Sequence, residues 1–165
     1  MGAIDQFVTA ARAFIAWAEA PASTDPHAEA VDARRNVVGL IAAAIALPDG
    51  TPSLSPSISD DEYQRVYMRF GNLPFNYYSE CFNPLVVPAE EPVVADLADD
   101  LADIWRDLKG GLLLYDSGET ESAVWHWSNH YSFHWGHHAT AALYALQSWL
   151  SSVGDDDGAE RAERC

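Results

Sequence analysis

Between Val94 and Trp149, apolar residues recur at three- and four-residue spacing on both sides of one short break, Ser117-Gly118. Before the break the stripe is Val94, Leu97, Leu101, Ile104, Trp105, Leu108, Leu112 and Tyr115. After it the stripe is Val124, Trp127, Tyr131, Trp135, His138, Ala142, Ala145 and Trp149. An α-helix places such positions on one face, and so short a break makes the second helix fold back on the first. The spacing therefore predicts an antiparallel hairpin. Its fourth helix of the chain starts near Glu91-Pro92, and its fifth runs from about Thr120 to Leu150. Gly110-Gly111 is a point where the fourth helix can kink, since each glycine costs about 1 kcal/mol against alanine.

The first half supplies three more helices. Ile4, Phe7, Val8, Ala11, Phe14, Ile15 and Ala18 form one face of a helix over residues 3–20, which Pro21 stops. Asp25 caps a second helix with Pro26 in its first turn, where a missing N–H costs nothing. Val31, Val38, Ile41 and Ile45 mark its expected buried stripe, and Pro48 its end. Residues 48–58, with three prolines, read as a loop. Ser59 and Glu62 match a capping box for a third helix, with Tyr63, Val66, Tyr67 and Phe70 inward and Gly71 as its stop. Residues 72–91, with Phe75, Tyr77, Tyr78 and Phe82 among Pro74, Pro84 and Pro88, read as an irregular aromatic-rich connection with room for one short helix. The expectation is all-α: about five helices in an up-down-like bundle, one domain over 1–153, and a disordered charged tail over 154–165. A single helix–turn–helix unit at 112–127 is too few for a solenoid.

Charge narrows the function classes. With 25 acidic and nine basic residues the formal net charge is -16. Such a surface repels phosphate backbones and anionic membranes, so nucleic acid and membrane are not expected partners. The longest apolar run, Val37–Leu47, is too short to span a bilayer. Two distant cysteines, Cys81 and Cys165, make no disulfide framework, and the start lacks a signal-peptide pattern; a cytoplasmic location is expected. Cys81 beside Glu80 reads as a packed thiol. Arg106 and Asp107 read as members of ordinary surface or interhelical ion pairs. No phosphate loop, nucleophile elbow, paired-Cys motif or dinucleotide fingerprint is present in the sequence.

Five of the six histidines fall between 126 and 138: His126, His130, His134, His137 and His138. Their spacing puts His126, His130, His134 and one of the last two on one helical face. Adjacent members of such a stripe can share a metal ion. Three cannot, because eight residues span about 12 Å of helix, so further ligands must come from another helix. Asp96, Asp99, Asp100, Asp103 and Asp107 recur in the same way on the fourth helix. In a hairpin turning near Ser117, Asp107 falls level with Trp127, near His126 and His130. Asp103 falls level with Tyr131, near His130 and His134, and Asp99 level with Trp135, near His134 and His138. Carboxylates facing imidazoles between bundle helices are the makings of a metal site or of an acid–base pair.

With these residues in view, the chain resembles an uncharacterised bacterial family, domain of unknown function 5063. One segment that carries the likeness is Leu97-Ala98-Asp99-Asp100-Leu101-Ala102-Asp103-Ile104-Trp105-Arg106-Asp107-Leu108, followed by Leu114-Tyr115 and Gly118. The other is Ala123-Val124-Trp125-His126-Trp127, then His134-Trp135-Gly136-His137-His138 and Ala142-Leu143. Tyr77-Tyr78-Ser79-Glu80 with Asn83-Pro84 is a looser match. The family brings no established activity. Its pattern holds His-Trp-Gly-His-His but not histidine at positions matching His126 and His130. The resemblance thus shifts the site to His134 and His138 with Asp99 and Asp103 and away from His126 and His130; His130 stays a further candidate on its helical spacing alone. A divalent transition metal is the cofactor such a set would take. Since no catalytic motif stands out, the leading expectation is a non-enzymatic acidic helical domain that contacts an unidentified protein partner, as monomer or homodimer. The alternative is a metal-dependent or acid–base enzyme with a His/Asp site between helices four and five.

Overall fold

The computed structural model describes residues 2–52 and 56–162, with side chains as far as Val153. Six α-helices occur among them: α1 (Ala3–Glu19), α2 (Pro26–Ala44), α3 (Asp60–Arg69), α4 (Leu97–Asp116), α5 (Thr120–Phe133) and α6 (Trp135–Ala162). Two short strands, β1 (Tyr77–Glu80) and β2 (Val93–Asp96), join α3 to α4. The chain is thus mainly α-helical with a minor sheet. Of the expected tail over 154–165, the backbone as far as Ala162 continues α6; residues 163–165, like 53–55 of the expected loop, lie outside the described residues.

Several elements form for the local reasons the sequence offers. The Asp25 side chain accepts from the His27 N–H at 2.9 Å and caps α2. Ser59 and Glu62 complete a capping box at the start of α3. Caps of this kind contribute about 1 kcal/mol each.

The connection before α4 differs from expectation. Tyr77 pairs with Asp96 and Glu80 with Val93 in an antiparallel ladder. Strands of four residues carry too little alternation to be separated from coil. Val94, assigned above to the fourth helix's apolar stripe, lies in β2 and is 78% exposed. Helix α4 begins only at Leu97, where the Asp96 side chain accepts from Asp99 N–H and the Asn76 side chain accepts from Ala98 N–H. The α2 stripe is also corrected. Val38 and Ile45 are exposed, and the buried face is Ala30, Ala33, Val37, Leu40 and Ala44. The segment 37–47 is apolar all round, so periodicity could not choose a face; small alanines that admit α1 and α6 choose it instead.

One apolar core joins all six helices. Phe7 and Phe14 of α1, Leu40 of α2, Phe70 after α3, Ile104, Trp105 and Leu108 of α4, Trp127 of α5 and Trp135 of α6 are essentially inaccessible. Phe7 packs on Trp127 with ring centroids 4.9 Å apart. Gly111 makes the α4–α5 contact possible, since a Cβ there would stand 1.9 Å from Trp127 Nε1. Helix α4 runs unbroken through Gly110 and Gly111, and both glycines serve close approach to α5.

The expected fifth helix is two. His134 leaves helical geometry at φ -138°, ψ -93° and separates α5 from α6. Beyond the joint the Tyr131 carbonyl lies against Gly136, where a Cβ would be 2.1 Å from that oxygen. Only glycine admits this re-entry, so the joint depends on a packing relation that apolar spacing does not record.

Candidate metal centre

Helix α4 presents Asp100, Asp103 and Asp107 inward, all buried, toward α5 and α6. The partners run in opposite chain directions: Asp107 meets His126, His130 and His134, while Asp100 and Asp103 meet His138. That order is the antiparallel hairpin inferred from the spacing. Gly110 and Gly111 shape it. With no side chain there, α5 donors reach α4 carbonyls, His126 Nε2 to Asp107 O at 3.0 Å and Trp127 Nε1 to Leu108 O at 3.3 Å.

One set of donors comprises Asp103, His134 and His138, whose potential ligand atoms lie within 4.8 Å of one another. His138 Nε2 faces Asp103 Oδ2 at 3.5 Å. The outer ring nitrogens are held by other carboxylates: His138 Nδ1 is 2.7 Å from Asp100 Oδ1, and His134 Nδ1 is 2.7 Å from Asp107 Oδ2. Further groups hold these carboxylates. The Tyr78 hydroxyl donates to Asp100 at 2.5 Å, and Arg106 donates to the other oxygen of Asp103 at 2.5 Å while lying over the Tyr63 ring. A second set comprises Asp107, His126 and His130.

Burial and pairing set the charges. Burial raises the Asp103 carboxyl above its usual range, and neither Arg106 nor His138 offsets this. Burial also works against ionising Asp107, but hydrogen bonds from His130 and His134 outweigh it and bring its pKa down to about 2. For His138, burial disfavours the cation, yet the hydrogen bond and charge of Asp100, with Asp103 and Asp99, carry the net shift upward. His126 is lowered, by burial first and by His130 second.

Four of the five residues expected at the site are therefore brought together: His134, His138 and Asp103 in one donor set and His130 in the adjoining one. Asp99 is not. It is exposed and accepts from the Tyr63 hydroxyl at 2.6 Å, because the helix turns its neighbour Asp100 toward His138 instead. Asp107, read above both as an ordinary ion-pair residue and as level with His126 and His130, is the carboxylate between two imidazoles, and Arg106 pairs with Asp103. Asp100 stood in the acidic stripe, but level-counting passed over it. Tyr78 stood in the aromatic run and in the looser family match, but neither tied it to the acidic stripe. Cys81, expected to be packed, is exposed. It borders a cleft of about 330 Å³ beside Tyr78, Glu80, His137 and Tyr144, and His137 Nε2 is 2.6 Å from Glu80 there.

The comparisons agree with this architecture. The family model described as "Domain of unknown function (DUF5063)" matches residues 2–152. The chain belongs to that family. Its fold is shared with protein BF1032 from Bacteroides fragilis, a crystal structure at 18% identity with a TM-score of 0.73, covering 88% of this chain and 90% of that one. No curated protein matches the chain. Among the described residues, no helix is long and apolar enough to cross a membrane.

Proposed function

We propose that this member of the family binds a divalent transition metal through Asp103, His134 and His138 and uses it as a catalytic centre. The observation that carries the reading is the 3.5 Å between His138 Nε2 and Asp103 Oδ2. This is long for a charge-assisted hydrogen bond. It is close to the roughly 3.3 Å that separates two ligand atoms on one tetrahedral ion with bonds of about 2.0–2.1 Å.

Two features of the surroundings support it. Ligating imidazoles characteristically give their other N–H to a carboxylate, which fixes the ring and raises its basicity; Asp100 and Asp107 stand ready for this at His138 and His134. Two imidazoles and one carboxylate also leave coordination positions open, as catalytic rather than structural sites do. Zinc, iron, cobalt and manganese all suit such donors.

The test is elemental analysis and Co(II) titration of the full, untagged chain. Binding at micromolar affinity or tighter is expected, with visible absorption reporting nitrogen–oxygen coordination, and both should be lost in Asp103→Asn and His138→Gln while the helical signal stays. Wild-type protein that binds none of these ions would overturn the reading.

An acidic interaction module is the second reading. It is favoured by the apolar side chains that the β1–β2 connection leaves in solvent, among them Phe82, Leu85 and Val87. Replacing Leu85 and Val87 by aspartate should then change the sedimentation behaviour; an unchanged profile in a wild-type monomer counts against self-association through that connection.

A further inference from the structure

One stripe of α6, made of His137, Thr140, Tyr144 and Ser148 with Trp149 beside it, faces strand β1 across two adjoining clefts. Helix α6 covers about 18 Å between His137 and Trp149. The cleft of about 330 Å³ described above and a neighbour of about 310 Å³ share Tyr78, Ser79 and Tyr144 as walls. The Tyr78 hydroxyl is taken by Asp100, so Tyr78 contributes ring surface. The two ends differ in charge. Toward Trp149 the walls are Phe75, Tyr77 and Tyr144, and no charged side chain lines that cleft. Toward His137 stands the Glu80 carboxylate, whose side chain is only 14% exposed. Its one ion-pair partner among the described residues is His137, which is charged only when protonated. No lysine or arginine lines either cleft.

We propose that these clefts bind a small organic ammonium with an aryl-sized apolar body, its cation at Glu80 and its body between β1 and α6 toward Trp149. Charge selects this class. A carboxylate held largely out of water and lacking a permanent cation gains from one brought by a ligand. Tyr78 and Tyr144, both walls at the Glu80 end, add ring surfaces that attract cations. An anionic ligand would meet Glu80 as a like charge, in a chain whose formal net charge is -16. A neutral ligand would leave Glu80 no better paired. The apolar end supplies the rest of the affinity by burying the body against Phe75 and Trp149. This site goes beyond the metal reading and does not depend on it, since none of Asp103, His134 and His138 lines either cleft.

The test is calorimetric titration of the full, untagged chain with phenethylammonium, beside 3-phenylpropionate and methylammonium, with amide chemical shifts to locate the ligand. Saturable binding of phenethylammonium is expected with a Kd below about 1 mM, and its shifts should centre on Ser79, Thr140 and Tyr144. Both comparators should bind at least about tenfold more weakly, one for its charge and the other for its missing body. Glu80→Gln keeps a group that can bond His137 and should also weaken phenethylammonium by at least about tenfold. Tyr144→Ala should weaken it several-fold, and since that side chain is 75% exposed, the variant keeps the test decisive if Glu80→Gln does not fold. Asp61→Asn removes the same charge from the exposed start of α3 and should leave the affinity unchanged. Equal binding of 3-phenylpropionate, full affinity in Glu80→Gln, or an equal loss in Asp61→Asn would overturn the proposal. So would shifts centred elsewhere, or no saturable binding of phenethylammonium.

Discussion

Glu29 and Asp107 are both buried carboxylates, yet they are neutralised in different ways. Glu29 meets a permanent cation, Arg69, whose guanidinium also stacks on Trp17 and Phe70 and donates to the Ala20 carbonyl. The Ser23 N–H donates to the same carboxylate, so both its charge and its hydrogen-bonding capacity are met. Asp107 is held by two imidazoles, and Asp100 by an imidazole and a phenol. Unlike a guanidinium, an imidazole can bind metal. The first arrangement ties α2 to α3 and has no spare donor atoms. The second leaves ring nitrogens and carboxylate oxygens facing each other across a seam. Burial of charge alone therefore does not mark a functional site; the kind of neutralising partner does.

The most disruptive way to probe this contrast is at the closed pair. Glu29→Gln leaves the Arg69 charge buried without its counter-ion and should cost about 3–5 kcal/mol in urea unfolding, while metal stoichiometry stays as in wild type. A metal defect in that variant would erase the distinction between the two regions.

Tyr78→Phe comes next. Removing a hydrogen bond to a charged carboxylate should cost about 1.5–3 kcal/mol. Burial, and then the bond to Asp100, push the Tyr78 hydroxyl far above its ordinary 10.0, and burial with Asp99 does the same for Tyr63. The folded state keeps these protons after the unfolded chain has lost them. Their contribution to stability is thus complete below pH 10 and declines as pH climbs beyond it. Alkaline denaturation curves should flatten in Tyr78→Phe and flatten further when Tyr63→Phe is added.

Gly111→Ala forces a methyl into the Trp127 ring and should cost about 1–3 kcal/mol. Since the strain falls between α4 and α5, metal affinity should drop with it. Unchanged affinity would mean that the donors are not positioned by that close approach. The smallest stability effect is expected at Asp103→Asn, within about 1 kcal/mol, because burial already disfavours the charge it removes. This variant should be the clearest separator of the two regions, folding normally and binding no ion.

How far the sequence carries the reader follows from the range of each interaction. The capping box at Ser59 and the facing of Asp107 with His126 and His130 are set by spacing along helices, and both were legible. The two strands were not, since four residues show no reliable period, and their pairing partners sit between 13 (Glu80 and Val93) and 19 (Tyr77 and Asp96) positions apart, beyond any local pattern. The use of Asp100 in place of Asp99 needed the rotation of α4, which is fixed by where β2 ends and Asn76 caps the helix. The joint at His134 needed knowledge that Gly136 would meet the Tyr131 carbonyl.

That joint gives His134 a double position. Its backbone is the bend between two rods, and its ring is clasped by Asp107 on a third. The clasp on the ring and the Gly136–Tyr131 approach thus bear on the same joint, from which α6 goes on to pack along α2. A single residue is at once the hinge pin of two helices and the point where a third takes hold.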